Sequence, residues 1–174
     1  RRSSDLGVTT SSTLTCSATA TDADGGSPTL SYVWTNGSSI LGTSSSVSLT
    51  NSTSSPSDNI VCTATATDSD GGVDSGTDSV TVNNTAPLTT GVTVTPLSPV
   101  VSDTLTCANT GYYDADGDAD QSTYSWSDGS STLGTSATLS GAFAAGDTVT
   151  CTVTPYDGTD TGPTASDSVT IQNS

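Results

Sequence analysis

The sequence predicts an all-β protein made of two copies of one antiparallel sandwich. Three observations lead there. The 174 residues contain no Glu and no Lys but abundant Thr, Ser and Val, so the best helix formers are missing and strand and turn formers remain. Apolar residues recur at every second position in short runs, the period of a strand with one buried face. The same local strings also appear twice, about ninety residues apart: TNGSSILGTS against SDGSSTLGTS, and TDSVTVNN against SDSVTIQN. A period of that length suits one sandwich per copy. The expected division is residues 1–84 and 85–174, with residues 83–87 as linker because Pro87 resists inclusion in a central strand.

Composition alone points the other way. Leu, Ile, Val and Phe together number 28, about one residue in six, and the formal net charge is −16. That combination is usual for disordered chains. The phasing of the apolar residues overrides it.

In the first copy, residues 13–21 alternate, with Leu14, Cys16, Ala18 and Ala20 on one face. Asp22, Asp24, Gly25 and Gly26 then supply turn chemistry. Leu30, Tyr32 and Trp34 form the inward face of the next strand, and Asn36 with Gly37 signals a short turn. Val47 and Leu49 mark a further strand. Ile60, Cys62, Ala64 and Ala66 line another, Asp68, Asp70, Gly71 and Gly72 turn the chain, and Val80 and Val82 close the copy. The second copy repeats the order. Its strands are marked by Val92 and Val94, Leu105 and Cys107, Tyr124 and Trp126, Ala137 and Leu139, Val149 to Val153, and Val169 and Ile171.

Both halves resemble the immunoglobulin-like modules, similar also to PKD and cadherin-like modules, that repeat along microbial surface proteins. TCSATATDADGG, YVWTNGSSILG and VCTATATDSDGG carry the resemblance in the first copy; DADGDAD, YSWSDG, AGDTVTCTVTPYDG and SDSVTI carry it in the second. It covers nearly the whole chain and implies a scaffold, not an activity. It further implies disulfides Cys16–Cys62 and Cys107–Cys151, with Trp34 and Trp126 packed on them in the core. Each bridge would contribute on the order of 4 kcal/mol on chain-entropy grounds. The other readings of these residues are a redox-active thiol pair, or an exposed tryptophan that binds sugar. Antibody domains carry Tyr two residues before the second Cys; Ile60 and Val149 stand there instead, so the chain is no antigen-receptor relative.

Several functions are excluded by residue type. There is no basic footprint for nucleic acid, and an anionic membrane surface would repel the chain. No apolar run approaches the ~20 residues of a membrane span. The absence of His, Lys and Glu removes Ser-His-Asp and Cys-His catalysis and Schiff-base lysines. Cysteines divided evenly between two copies, without close CxxC pairs, fit an oxidising, extracellular or cell-surface setting.

What chemistry remains lies with Asp, which supplies all 18 acids. Asp22, Asp24, Asp68 and Asp70 fall in the two loops that meet at one pole of such a sandwich. In the second copy these are Asp114, Asp116, Asp118, Asp120, Asp157 and Asp160. Carboxylates that converge without basic partners suit Ca²⁺, which takes 6–8 oxygen ligands, and an ion there would stiffen a two-domain rod. The same residues also make good, soluble Asp-Gly turns. The second run is not an EF-hand, since Gly117 falls too early and Ser125 stands at the twelfth position. Sequons at Asn36, Asn51 and Asn83 are candidate glycosylation sites, placed in loops or the linker.

Alignment of Leu14 and Cys16 on Leu105 and Cys107 sets Arg1 opposite Val92. The first copy is therefore expected to lack its first strand. The chain is then either a window on a longer array, or its first sandwich accepts a strand from a neighbouring copy and polymerises head-to-tail. The functional expectation is a non-catalytic extracellular structural protein, in a filament or stalk. The alternative is a calcium-dependent adhesin that binds a glycan or another cell, with Tyr112, Tyr113 and Tyr156 as stacking surface.

Overall fold

A computed structural model describes residues 7–173. The chain divides into two compact units, Arg1–Asn84 and Thr85–Ser174. Each is an antiparallel sandwich, without helix among the described residues, pinned by one disulfide: Cys16–Cys62 in the first and Cys107–Cys151 in the second.

The first unit contains β1 (Thr13–Thr15), β2 (Thr29–Asn36), β3 (Ser39–Gly42), β4 (Ser46–Ser48), β5 (Asn59–Thr67) and β6 (Val73–Thr81). One sheet has the order β3-β2-β5-β6; the other pairs β1 with β4. The second unit contains β7 (Leu88–Thr89), β8 (Val92–Thr95), β9 (Thr104–Asn109), β10 (Tyr112–Tyr113), β11 (Thr123–Ser127), β12 (Thr132–Gly134), β13 (Thr138–Ser140), β14 (Thr148–Thr154) and β15 (Ala165–Thr170). Its sheets run β12-β11-β14-β15 and β13-β9-β8, and β7 and β10 form a short ribbon. These are immunoglobulin-type strand orders, with strands C′-C-F-G facing a B–E pair, or E-B-A in the second unit.

The core of each unit is the inward face of both sheets. In the first it comprises Val8, Trp34, Val47, Leu49, Ile60, Cys62 and Val82. The second core is larger: Val94, Phe143 and Val153 are added, and Leu105, Cys107 and Val169 are buried where Leu14, Cys16 and Val80 are only partly so. Trp34 lies beside Cys62 across β2 and β5, and Trp126 beside Cys151 across β11 and β14. Both indoles are buried, and each donates its Nε1–H to a backbone carbonyl, Ser44 O at 2.9 Å and Ser136 O at 2.8 Å. A buried indole needs that partner, because an unmade hydrogen bond costs about 1–3 kcal/mol.

Three sequence expectations change here. The alternation over residues 13–21 yields a ladder only over Thr13–Thr15. Beyond Cys16, whose N–H bonds Ser45 O, no neighbouring strand exists among the described residues, whereas β9 runs on to Asn109 because β8 pairs along it. The last strand of the first copy is not three residues but nine, Val73–Thr81. Its polar sequence hides it, and β5 holds it through a continuous nine-pair register. Finally, β3 and β12 come from the short turns at Gly37 and Gly129, both at positive φ. The first strand expected to be missing from the first copy aligns with residues 1–4, which lie outside the described residues.

Two outcomes follow from a core this thin. Replacing Cys16 and Cys62 together by Ala should cost about 4 kcal/mol, read as a fall in denaturation midpoint that the intact protein shows only under reductant. In the second unit, a Cβ on Gly162 would overlap the backbone carbonyl of Pro87, so Gly162→Ala should lower the melting temperature while Gly76→Ala, in open space, leaves it nearly unchanged.

Candidate functional site

Most of the aspartates are explained by local backbone chemistry. Asp22 Oδ1 accepts the N–H of Asp24 at 2.9 Å, and its Oδ2 accepts that of Gly26 at 3.1 Å. Asp68 Oδ1 accepts from Asp70 and Gly72 at 2.9 and 2.8 Å. Asp114 Oδ1 accepts from Asp116 and Asp118 at 2.8 and 3.2 Å. One Asx-type turn is thus built three times, and a glycine at positive φ follows in each: Gly25, Gly71 and Gly117. Asp120 bonds Ser122 N, and Asp157 Oδ1 accepts from Thr159 and Asp160. Asp128 caps Ser130 and Ser131, and those donors hold its carboxyl below the usual carboxylate range.

Among the described residues, the acidic side chains that converge are Asp114, Asp116 and Asp118, which offer oxygens within 4.8 Å of one another. Asp22, Asp24, Asp68 and Asp70 form no such group, and neither Asp120, Asp157 nor Asp160 is part of it. Asp114 is only 8% exposed, and its Oδ2 is buried without a hydrogen-bond partner. Asp116 Oδ2 accepts the N–H of Thr85 at 2.6 Å, which ties the loop to the first residue of the unit. The loop after β14 closes against the same region: Gln121 N bonds Tyr156 O at 2.8 Å, and Gln121 Nε2 bonds Asp157 O at 3.2 Å.

The electrostatics of this pole follow from crowding. Burial, then the charges of Asp114, Asp157 and Asp116, raise the Asp118 carboxyl. Burial, then Asp114, Asp120, Asp157 and Asp118, push the Tyr112 phenol up to about 12. Both groups resist adding negative charge to a place already rich in it. No Lys or Arg occurs after Arg2 to offset it.

The loop tyrosines differ in access. Tyr113 is 62% exposed and lies across the β7–β10 ribbon from Leu88, 48% exposed. Tyr112 and Tyr156 are half-buried, and their hydroxyls bond Ala119 O and Gly158 O. Trp34 and Trp126 are buried, which removes them as sugar-stacking surfaces.

A second feature lies beside Cys16. The first unit has an open cleft of about 740 Å³ along the extended segment 17–23, facing β5 and β6. Cys16, Ala18, Ala20, Ala64 and Asp78 are among its lining residues, and β6 is exposed along almost its whole length. In the second unit the matching place is taken by β8. That strand pairs with β9, Val94 opposite Cys107, and lies against β15. Val94 N also donates to Asp167 Oδ2 at 2.8 Å. Asp78 is the residue that aligns with Asp167, through TDSVTV and SDSVTI.

The sequons are unequal. Asn36 closes β2 instead of lying in a loop, and its Nδ2 donates to Thr53 O and to Asp58 Oδ2 at 2.6 Å. Asn51 and Asn83 are exposed.

No protein-family model matches this chain, and no curated protein matches it. Among solved structures it is similar to three N-terminal domains of the Highly Immunogenic Outer Capsid protein of bacteriophage RB49 (19% identity, TM-score 0.34, covering 96% of this chain and 56% of that one). It is also similar to a Ca²⁺-stabilized adhesin that helps an Antarctic bacterium bind ice (19%, TM-score 0.37, 99% and 47%). A third is immunoglobulin domains 1–5 of Sidekick-1 (18%, TM-score 0.33, 85% and 34%). The chain spans about half the length of each of the first two and a third of the last.

A glycosylating expression host supplies a check on the sequons. Mass spectrometry of peptides should find glycan at Asn51 and Asn83, with Asn36 unmodified, because a glycan there replaces an N–H that is already bonded.

Proposed function

We propose that the chain is a non-catalytic structural module of an extracellular filament or stalk, and that neighbouring copies associate by strand addition at the first unit. The observation that carries this is the cleft beside Cys16. The second unit serves as an internal template for its occupant: an extended strand with Val at alternate positions, paired along residues 15–18. Like Val94, it would give a backbone N–H to a carboxylate, here Asp78. Strand addition supplies main-chain hydrogen bonds for affinity and alternate pockets for specificity. It also covers an edge that is otherwise a liability. The occupant is a second copy of this chain. Cystines in both sandwiches suit the oxidising surroundings of such a polymer, and no helix among the described residues is long and apolar enough to cross a membrane. A bound calcium ion belongs to this reading as a stiffening element of the second unit.

Electron microscopy and hydrogen exchange test the assembly. Concentrated protein should form periodic fibres, with amides of residues 15–18 and of β6 protected only in the fibre. Asp78→Lys should weaken assembly. A chain that stays monomeric at high concentration with those amides already protected sinks the idea; protection lost on deleting residues 1–6 would show that the chain's own N-terminus fills the cleft.

The exposed pair Tyr113 and Leu88 beside the aspartate loop favours a second reading, a calcium-dependent adhesin that stacks a glycan at this pole. Retention on a glycan array, lost in Tyr113→Ala and on chelation, is its expected signature. A fibre-forming chain that binds no glycan leaves only the first.

A further inference from the structure

The three Asx-type turns provide an internal comparison that isolates one of them. All three have the same backbone bonds, so the turn itself explains the first aspartate in each. Asp22 uses both oxygens on its own loop. Asp68 bonds through Oδ1 and is itself only half-buried. Asp114 bonds through Oδ1 in the same way, but its Oδ2 is sealed from solvent with nothing to accept from. The third loop also departs in sequence. Where the first two have Gly26 and Gly72 at the fifth position, it has Asp118. That substitution adds a third carboxylate within 4.8 Å of the other two.

A buried, unpaired carboxylate oxygen is costly, and two more carboxylates close by add repulsion. The usual remedies are missing. No base exists anywhere in the second unit, and no N–H reaches Asp114 Oδ2. Compensation must therefore come from outside the chain. The donors are all hard oxygens, without His or thiolate, which selects against zinc and copper. Irregular loops with some donors already shared with N–H groups suit the flexible 6–8-coordination of Ca²⁺ better than the strict octahedron of Mg²⁺.

We propose that Asp114 Oδ2, Asp116 and Asp118 form a Ca²⁺ site in the second unit, and that the turns at Asp22 and Asp68 in the first are metal-free. Asp116 links this site to Thr85, so the ion braces the first residue of the unit against its aspartate loop. The inference deepens the calcium element of the function proposed above. It is independent of strand addition, and its test uses the monomeric chain, so either can fail alone.

The whole chain, stripped with chelator, is titrated with calcium chloride by calorimetry and by thermal melting. One ion per chain should bind, and at a hundredfold excess over Kd the folding equilibrium should shift roughly a hundredfold toward the native state. Asp114→Asn, which keeps the Oδ1 acceptor of the turn, should abolish binding, whereas Asp68→Asn should leave it intact. Should Asp114→Asn fail to fold, Asp118→Ala at an exposed position should still weaken binding at least tenfold. Terbium emission excited through tyrosine locates the ion: Tyr112→Phe should dim it without changing calcium affinity. No heat and no melting shift in millimolar calcium overturns the site, as does undiminished binding in both Asp114→Asn and Asp118→Ala. Loss of binding in Asp68→Asn overturns its assignment to the second unit, and equal affinity for Mg²⁺ overturns the choice of ion.

Discussion

Everything in each sandwich depends on a cystine that joins the two sheets, with a tryptophan beside it on the neighbouring strand. With 28 large aliphatic and phenyl side chains in 174 residues, burial alone offers little beyond the conformational entropy that folding must overcome. The cystine lowers that entropy in the unfolded chain. The indole supplies the largest apolar area available and satisfies its one polar atom on a backbone carbonyl, Ser44 or Ser136. Ala64 and Ala66 can then occupy strand positions that would otherwise demand Val or Leu.

The abundance of aspartate follows from the same economy of means. With no helices to cap among the described residues and almost no bases to pair with, the acids serve as acceptors for turn N–H groups, at Asp22, Asp68, Asp103, Asp128 and Asp147 among others. Such turns are well solvated and raise net charge, which keeps a sheet-rich surface from self-association at random. Against that background Asp114 differs in physical kind. One oxygen does what its counterparts do, and the other is buried without a donor.

The two units also show how one strand changes a sandwich. Where β8 is present, β9 is extended, Asp167 is engaged by Val94, and the cystine at Cys107 is 2% exposed. In the first unit the homologous cystine opens on a cleft, no strand among the described residues donates to Asp78 as Val94 does to Asp167, and β6 is exposed over most of its length. The core strands, the duplication and the turns at the Asp-Gly motifs were legible in the sequence, because alternation and glycine punctuation are local signals. β3, β12 and most of β6 were not. β3 and β12 are too short to show a period and most of β6 is polar, so only pairing with β2, β11 and β5 makes them strands.

By itself the sequence determined the class, the period and the chemistry at hand: strands and no helix formers, two copies, four cysteines, oxygen donors without bases. These follow from residue type and spacing. Tertiary structure decided which carboxylates meet. Ten aspartates in the pole loops look equivalent along the chain, yet only three converge among the described residues. The reason is that a carboxylate is committed or left over according to the N–H groups within reach of it in space, and linear order does not encode that reach. Packing around the third turn seals Asp114 Oδ2, whereas in the same turn Asp22 and Asp68 are only half-buried.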